Sequence, residues 1–400
     1  MDNPSKKRAR ITYGLVAGTL CLAAWAASAM PRAATPKTIP TVDPTPPTPP
    51  TPPKPEPPVV TIPKARPKIE VMFALDTTGS MSGLIEGAKR KIWSIANFIA
   101  QGDPKPDLRI GLVAYRDKGD AYVTRFYDLS DDLDKVFERL QSFEAAGGGD
   151  TPEHVSRALG EAVHKTSWSM EQAVLKQIYL VGDAPPHTDY DDGYDYRKIA
   201  KEAREAGIHI NTIRCGGDRE TQLVWNEIAN MASGEYASID QSGGVITVAT
   251  PYDDKLAELN GKLVGTAVGW GRYRSEVAEK VSASRAMPKS SAADRAGFLG
   301  LKGGAVTGAG DVVKDAVEGR LDVAAAPAAA LPEELAGLDA DGRKEWVAKK
   351  KAERETIQAE INKLNLERTK YLKERRKADA FDARVEDTIR AQAKSIGVSY

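Results

Sequence analysis

Cysteine is nearly missing from this chain: Cys21 and Cys215 are the only two among 400 residues. With Cys21 inside an apolar N-terminal run, no disulfide framework is expected, and Cys215 reads as a small buried residue after a strand. Net charge is missing as well, with 56 basic and 56 acidic residues. That balance removes any global electrostatic case for nucleic acid. Histidine is scarce, four in all, with none spaced as a metal-ligating pair. The glycine pairs near 303 and 308 lack the Lys-Ser/Thr that a phosphate loop requires, and read as a flexible connector.

What is present is organised in blocks. Lys6, Lys7, Arg8 and Arg10 precede an uncharged stretch over 11–30, near whose end Ala27-Ser28-Ala29 gives a small-x-small cleavage pattern. Residues 1–30 therefore read as an export signal or, uncleaved, as an N-terminal membrane anchor. Leu20 before Cys21 is too large for a lipidation box. Residues 31–68 are Thr-Pro repeats that cannot bury apolar area, an extended spacer of about 3 Å per residue.

From 69 to 268 strand and helix patterns alternate, which predicts an α/β, doubly wound, mostly parallel six-stranded sheet with helices on both faces. Strands are expected at 69–75, 109–115, 122–129, 177–182, 208–214 and 235–239, the third antiparallel to the second. Helices are expected after Ser82 up to Gly102, and at 130–143, 152–165, 196–206, 220–232 and 253–268. Residues 269–331 read as an Ala/Gly-rich connector. Residues 332–400 read as a helical C-terminal region with Ile357, Ile361, Leu364 and Tyr371 on one coiled-coil seam that Arg368 interrupts. Self-association through that seam, a helical hairpin, packing on the domain and a solvated charged helix all fit.

The chemistry gathers at strand ends. Asp76-Thr77-Thr78-Gly79-Ser80-Met81-Ser82 leaves the first strand with a carboxylate and two hydroxyls at alternate positions. These are hard oxygen donors, suited to magnesium or manganese and offering little to zinc or copper. Gly147-Gly148-Gly149-Asp150-Thr151-Pro152-Glu153 precedes a helix, and a later apolar strand ends at Gly182-Asp183. In open sheets of this kind ligands bind beyond the carboxyl ends of the strands, where all three segments fall.

Together these segments resemble the metal-ion-dependent adhesion site of von Willebrand factor A domains, over about residues 69–250. The first element of that site is Asp-x-Ser-x-Ser, with Thr accepted in the middle. The fuller set, with Gly-Asp-Ala-Pro-Pro-His after the later strand, looks like the bacterial and alpha-kinase-associated branch. The resemblance implies metal ligation by Asp76, Thr78, Ser80, Thr151 and Asp183. It also implies magnesium or manganese as cofactor, with calcium as an alternative, and a protein partner whose exposed Asp or Glu completes the coordination. Asp150 before Thr151 and Glu153 after it depart from the usual Gly-Thr loop, and either could add an oxygen directly or through water. The acidic loop with His187, Asp189, Asp191 and Asp192 reads as a rim of the site. It does not read as a calcium loop, because Ala200 stands where Glu is required.

The function that follows is an exported or membrane-tethered, non-enzymatic binding module, touching membrane only through its N-terminal segment and making no nucleic-acid contact. A magnesium-dependent phosphohydrolase on a similar sheet is the alternative, with Asp76 as nucleophile. Thr78 stands where its general acid would be. A metal-independent scaffold is the third reading.

Overall fold

The computed structural model describes residues 66–149, 151–171, 173–242, 248–375 and 380–400. The export segment and nearly all of the proline-rich spacer lie outside them, as do Cys21 and Asp150.

Six strands form one sheet: β1 (Lys68–Asp76), β2 (Asp107–Tyr115), β3 (Thr124–Ser130), β4 (Val174–Gly182), β5 (Ile208–Cys215) and β6 (Tyr236–Ile239), in the order β3-β2-β1-β4-β5-β6. All pairings are parallel except β2 with β3. The interposed helices are α1 (Ser82–Ala100), α2 (Leu133–Gln141), α3 (Val155–His164), α4 (Tyr196–Glu205), α5 (Arg219–Met231) and α6 (Asp253–Val264). Asp132, Asp195 and Asp218 cap α2, α4 and α5 by accepting a backbone N–H of the first turn.

Alternation along β1 shows why the sheet is covered twice. Ile69, Val71, Phe73 and Leu75 face the core built with α1, α2 and α6, while Met72 and Ala74 face α3, α4 and α5. Because the chain leaves β1 toward β2 on one side and β4 lies on the other, the β1–β4 boundary is a switch point. Loops diverge there and leave a crevice at the strand ends. Asp76 and Asp183 stand on its two sides.

The segment expected as a connector is built instead of packed helices: α7 (Arg274–Ala286), α8 (Lys289–Lys302) and α9 (Val312–Val317). They are followed by the one-turn α10 (Glu333–Ala336), the 34-residue α11 (Ala340–Lys373) and α12 (Phe381–Gln392). Small residues explain the close packing. A Cβ on Gly297 or Gly300 of α8 would fall 2.5 Å from the Asn365 or Asn362 side-chain oxygen of α11. Ile361 is fully buried, with Ile357 and Leu364 packed against the same core, so the seam lies on the chain's own domain. Arg368, which interrupts the seam, is an anchor: it reaches Asp253 of α6 at 2.7 Å and Asp294 of α8 at 2.5 Å. Fully buried Arg295 similarly holds Asp134 of α2 at 2.8 and 3.0 Å.

Candidate metal centre

The β1 strand delivers Asp76 fully buried to the end of the sheet. The next residues turn back on it: the Thr78 backbone N–H and hydroxyl both donate to Asp76 Oδ1, at 2.9 and 2.7 Å. Thr78 Oγ1 lies 3.3 Å from Ser80 Oγ. One carboxylate and two hydroxyls thus converge, as their alternate spacing predicts. The glycine loop lies against them, with Gly79 N–H donating to Gly147 O and Ala146 N–H to Thr77 O, both at 3.1 Å. Gly148 has φ +76°, and a Cβ there would meet Thr78 Cβ at 2.9 Å. Gly182 serves a similar end, since a Cβ there would fall 2.4 Å from the Tyr115 hydroxyl and 3.0 Å from Asp76 Oδ2. Without it Asp76 could not face the β4 end.

Asp183 follows directly. Its Oδ2 accepts a 2.5 Å hydrogen bond from Gln241, which also approaches Ser80 O at 3.4 Å, and its backbone carbonyl accepts from Thr221 Oγ1. Glu153 is 3% exposed and ties two loops together, its N–H donating to Pro185 O and its carbonyl accepting from His187 N–H. Thr151 is exposed at the end of the glycine loop, with no hydrogen bond to the other donors among the described residues.

The electrostatics are those of a pocket short of positive charge. Burial pushes the Asp76 carboxyl up to about 7, with the charge of Asp183 adding to the rise and the Thr78 hydrogen bonds opposing it. Burial and then the charges of Asp76, Asp117, Asp120 and Asp183 push Glu153 up to about 9. Asp76 Oδ2 and Glu153 Oε2 are both buried without a hydrogen-bond partner. A buried, unpartnered carboxylate oxygen beside two hydroxyls fits an oxygen-ligated cation, which would relieve both the desolvation and the repulsion. Among the described residues no group of three or more His, Cys, Asp or Glu side chains has metal-holding geometry. Hydroxyl oxygens make up the rest of this donor set.

The acidic loop is engaged differently. His187 Nδ1 is 2.8 Å from Asp189 Oδ1 and its ring stacks on Tyr190. Asp192 sits 2.8 Å from both His154 Nε2 and Lys118 Nζ. Burial pushes the Asp192 carboxyl up, but the Lys118 and His154 hydrogen bonds, with the His154 charge and the Tyr194 N–H, together hold it down at about 2. Asp189 and Asp191 are exposed, so this loop is braced as a rim. Sequence reasoning missed Gln241, Tyr115, Asp117 and Asp120. Asp120 accepts the Gly148 N–H, and Asp117 accepts from the Tyr190 hydroxyl at 2.6 Å. Only their positions at or just after the ends of strands β2 and β6 hinted at a role.

An Asp-x-Thr-x-Ser turn at the end of a central parallel strand, facing an Asp on the neighbouring strand across the switch point, defines the class of domain. Residues 70–251 match the family model described as von Willebrand factor A domain. They form a von Willebrand factor A domain. Among curated relatives, von Willebrand factor A domain-containing protein 7 of Mus musculus is 33% identical over 182 residues, covering 42% of this chain. The Rattus norvegicus protein of the same name is 33% identical over 120 residues, covering 30%. The chain spans only 19% and 12% of those two relatives. Among solved structures, the SpRpn10 VWA domain aligns with TM-score 0.33 and 14% identity, covering 44% of this chain and 88% of that one. Proximal thread matrix protein 1 from the mussel byssus, in a form with a zinc-occupied MIDAS motif, aligns with TM-score 0.34 and 14% identity over 43% of this chain and 42% of that one. Von Willebrand factor A domains are generally non-enzymatic interaction modules, a fold commonly used for metal-dependent protein interaction.

Proposed function

We propose that this chain is a metal-dependent protein-binding module, with a divalent cation held by Asp76, Thr78, Ser80, Thr151 and Asp183 and completed by an Asp or Glu side chain of the partner. The observation that carries this reading is the buried, unpartnered Asp76 Oδ2 beside the Thr78 and Ser80 hydroxyls. When bound, the cation supplies an electrophilic coordination position for a carboxylate. The chain supplies the rest: Gly148 and Gly182 leave room for the donors, and Gln241 fixes the Asp183 carboxylate. Magnesium and manganese suit hydroxyl and carboxylate oxygens best, with calcium as the alternative.

A phosphohydrolase reading is poorer in this site. Thr78 donates its hydroxyl to Asp76, so the position two residues on offers no general acid. Export, with residues 11–30 as signal or anchor, belongs to the same proposal. Among the described residues no helix is long and apolar enough to cross a membrane.

A Glu-containing peptide selected from an array in magnesium is expected to lose at least about tenfold in affinity on chelation or with Ser80→Ala, measured by fluorescence polarisation. Peptide binding that survives chelation would contradict the metal bridge and favour a metal-independent scaffold.

A further inference from the structure

At the end of the sheet opposite Asp76 lies a cleft of about 530 Å³ between the starts of β1 and β2 and the end of α8. That volume is within the range of small-molecule sites. Leu108, Phe298, Leu299 and Val306 form its apolar lining, and Lys302 and Lys314 stand on its rim.

Three of the four acidic residues lining the cleft, Glu70, Asp107 and Glu318, have cationic partners, and Asp131 is the fourth. Arg109 and Ser169 donate to Glu70, Asp107 lies 3.9 Å from both Arg66 and Lys302, and Glu318 is paired with Arg320. Both lysines donate to backbone carbonyls, Lys302 Nζ to Pro106 O and Lys314 Nζ to Gly308 O, the latter at 2.6 Å, and Lys302 has Asp107 as a more distant counter-charge. Burial holds the Lys302 ammonium below the ordinary lysine range, against the opposing charge of Asp107. The turn after Lys302 runs against the Lys314 stem. Gly303 and Gly304 take φ +83° and +81°, and a Cβ on Gly304 would lie 3.4 Å from Lys314 Cδ. This glycine pair, which lacks the sequence of a phosphate loop, therefore shapes the cleft by letting the chain reverse.

We propose that the cleft binds a small organic anion, its charged head on Lys302 and Lys314 and its apolar body against Leu108 and Phe298. The site is independent of the metal centre at the other end of the sheet. It joins the von Willebrand factor A domain to the helices that follow, because β1 and β2 supply one wall and α8 and α9 the other.

The test is a titration of the full chain with phenyl phosphate, an anionic head on an apolar body, with inorganic phosphate as the head alone. Saturable binding with Kd at or below about 1 mM is expected, with inorganic phosphate at least about tenfold weaker. Lys302→Met and Lys314→Met should each weaken phenyl phosphate by about tenfold, while Lys302→Arg retains binding. In the unaltered protein, saturation should move the amide resonances of Gly303 and Gly304. Failure to saturate, equal binding of inorganic phosphate, unchanged affinity in both Met variants, or resonance shifts confined to the Asp76 end would each overturn the proposal.

Discussion

A chain shortened to residues 66–268, which contains the von Willebrand factor A domain that the sequence delimits at 69–268, is expected to fail to fold cooperatively. The reason lies in what fills the sheet face beside α1. Phe381, Val385 and Ile389 of α12 and Val398 beyond it are buried in the same core as Ile69 and Phe73, with the Phe73 and Phe381 rings 6.1 Å apart. The Tyr179 hydroxyl donates to Val385 O, and Gln392 reaches both buried Gln177 and Asn211 in the sheet. Four such apolar side chains at roughly 2 kcal/mol each contribute roughly 8 kcal/mol. A whole domain has only about 5–15 kcal/mol of net stability. Truncation also takes Arg295 from Asp134, Lys280 from Asp132 and Arg368 from Asp253. Urea unfolding followed by circular dichroism, with dye binding for exposed apolar surface, reads the outcome. A sharp two-state transition for the short chain would show that the helices are appended and not integral.

The second large effect is a stability profile that runs opposite to that of a salt-bridged carboxylate. In the metal-free folded chain Asp76 titrates at about 7, against 3.8 for the ordinary group. Between those values the folded state keeps a proton that the unfolded state has released. Stability therefore falls as pH rises from about 4 to 7 and stays low above, by an amount on the order of 4 kcal/mol. Glu153, pushed up to about 9, extends the fall in the same direction. Asp76→Asn removes the charge and keeps an oxygen for the Thr78 hydroxyl. In chelator at pH 8 this variant is expected to unfold at a higher urea concentration than the unaltered chain, with a flatter pH profile. Adding magnesium should stabilise the unaltered chain and leave the variant unchanged. A metal-free variant less stable than the unaltered chain at pH 8 would mean that the ionised carboxylate is compensated by other groups. The site would then carry no cost to the fold, whereas the expected result would show the destabilisation that functional sites commonly hold.

The sequence made legible the parts of this molecule that depend on local pattern. Strand β1 shows as an apolar run, α1 as a 3.6-residue stripe, and Asp76, Thr78 and Ser80 meet because they leave one strand end together. The antiparallel β3 was legible because only a few residues separate it from β2. The helices of 269–331 were hidden because their contacts use Ala and Gly. α8 buries Ala292, Ala293 and Ala296 and sets Gly297 and Gly300 against α11, so no strong apolar stripe marks it. Arg368 looked like a break in a seam because a buried arginine is intelligible only with Asp253 and Asp294, more than seventy residues away, in view. At the site, Gln241 and Tyr115 are brought to Asp183 and Gly182 by sheet order, which no local spacing encodes. The weakened acidity of Glu153 has the same origin: burial in the crevice, then four carboxylates from the three loops that share it.

The central claim, an oxygen-ligated divalent cation at Asp76, is tested most directly by calorimetric titration of magnesium and manganese into the metal-free chain and into Asp76→Ala. The account predicts saturable binding of one ion per chain that disappears in the variant, with both proteins folded by circular dichroism. Identical titrations for the two proteins, whether both bind or neither does, would contradict it.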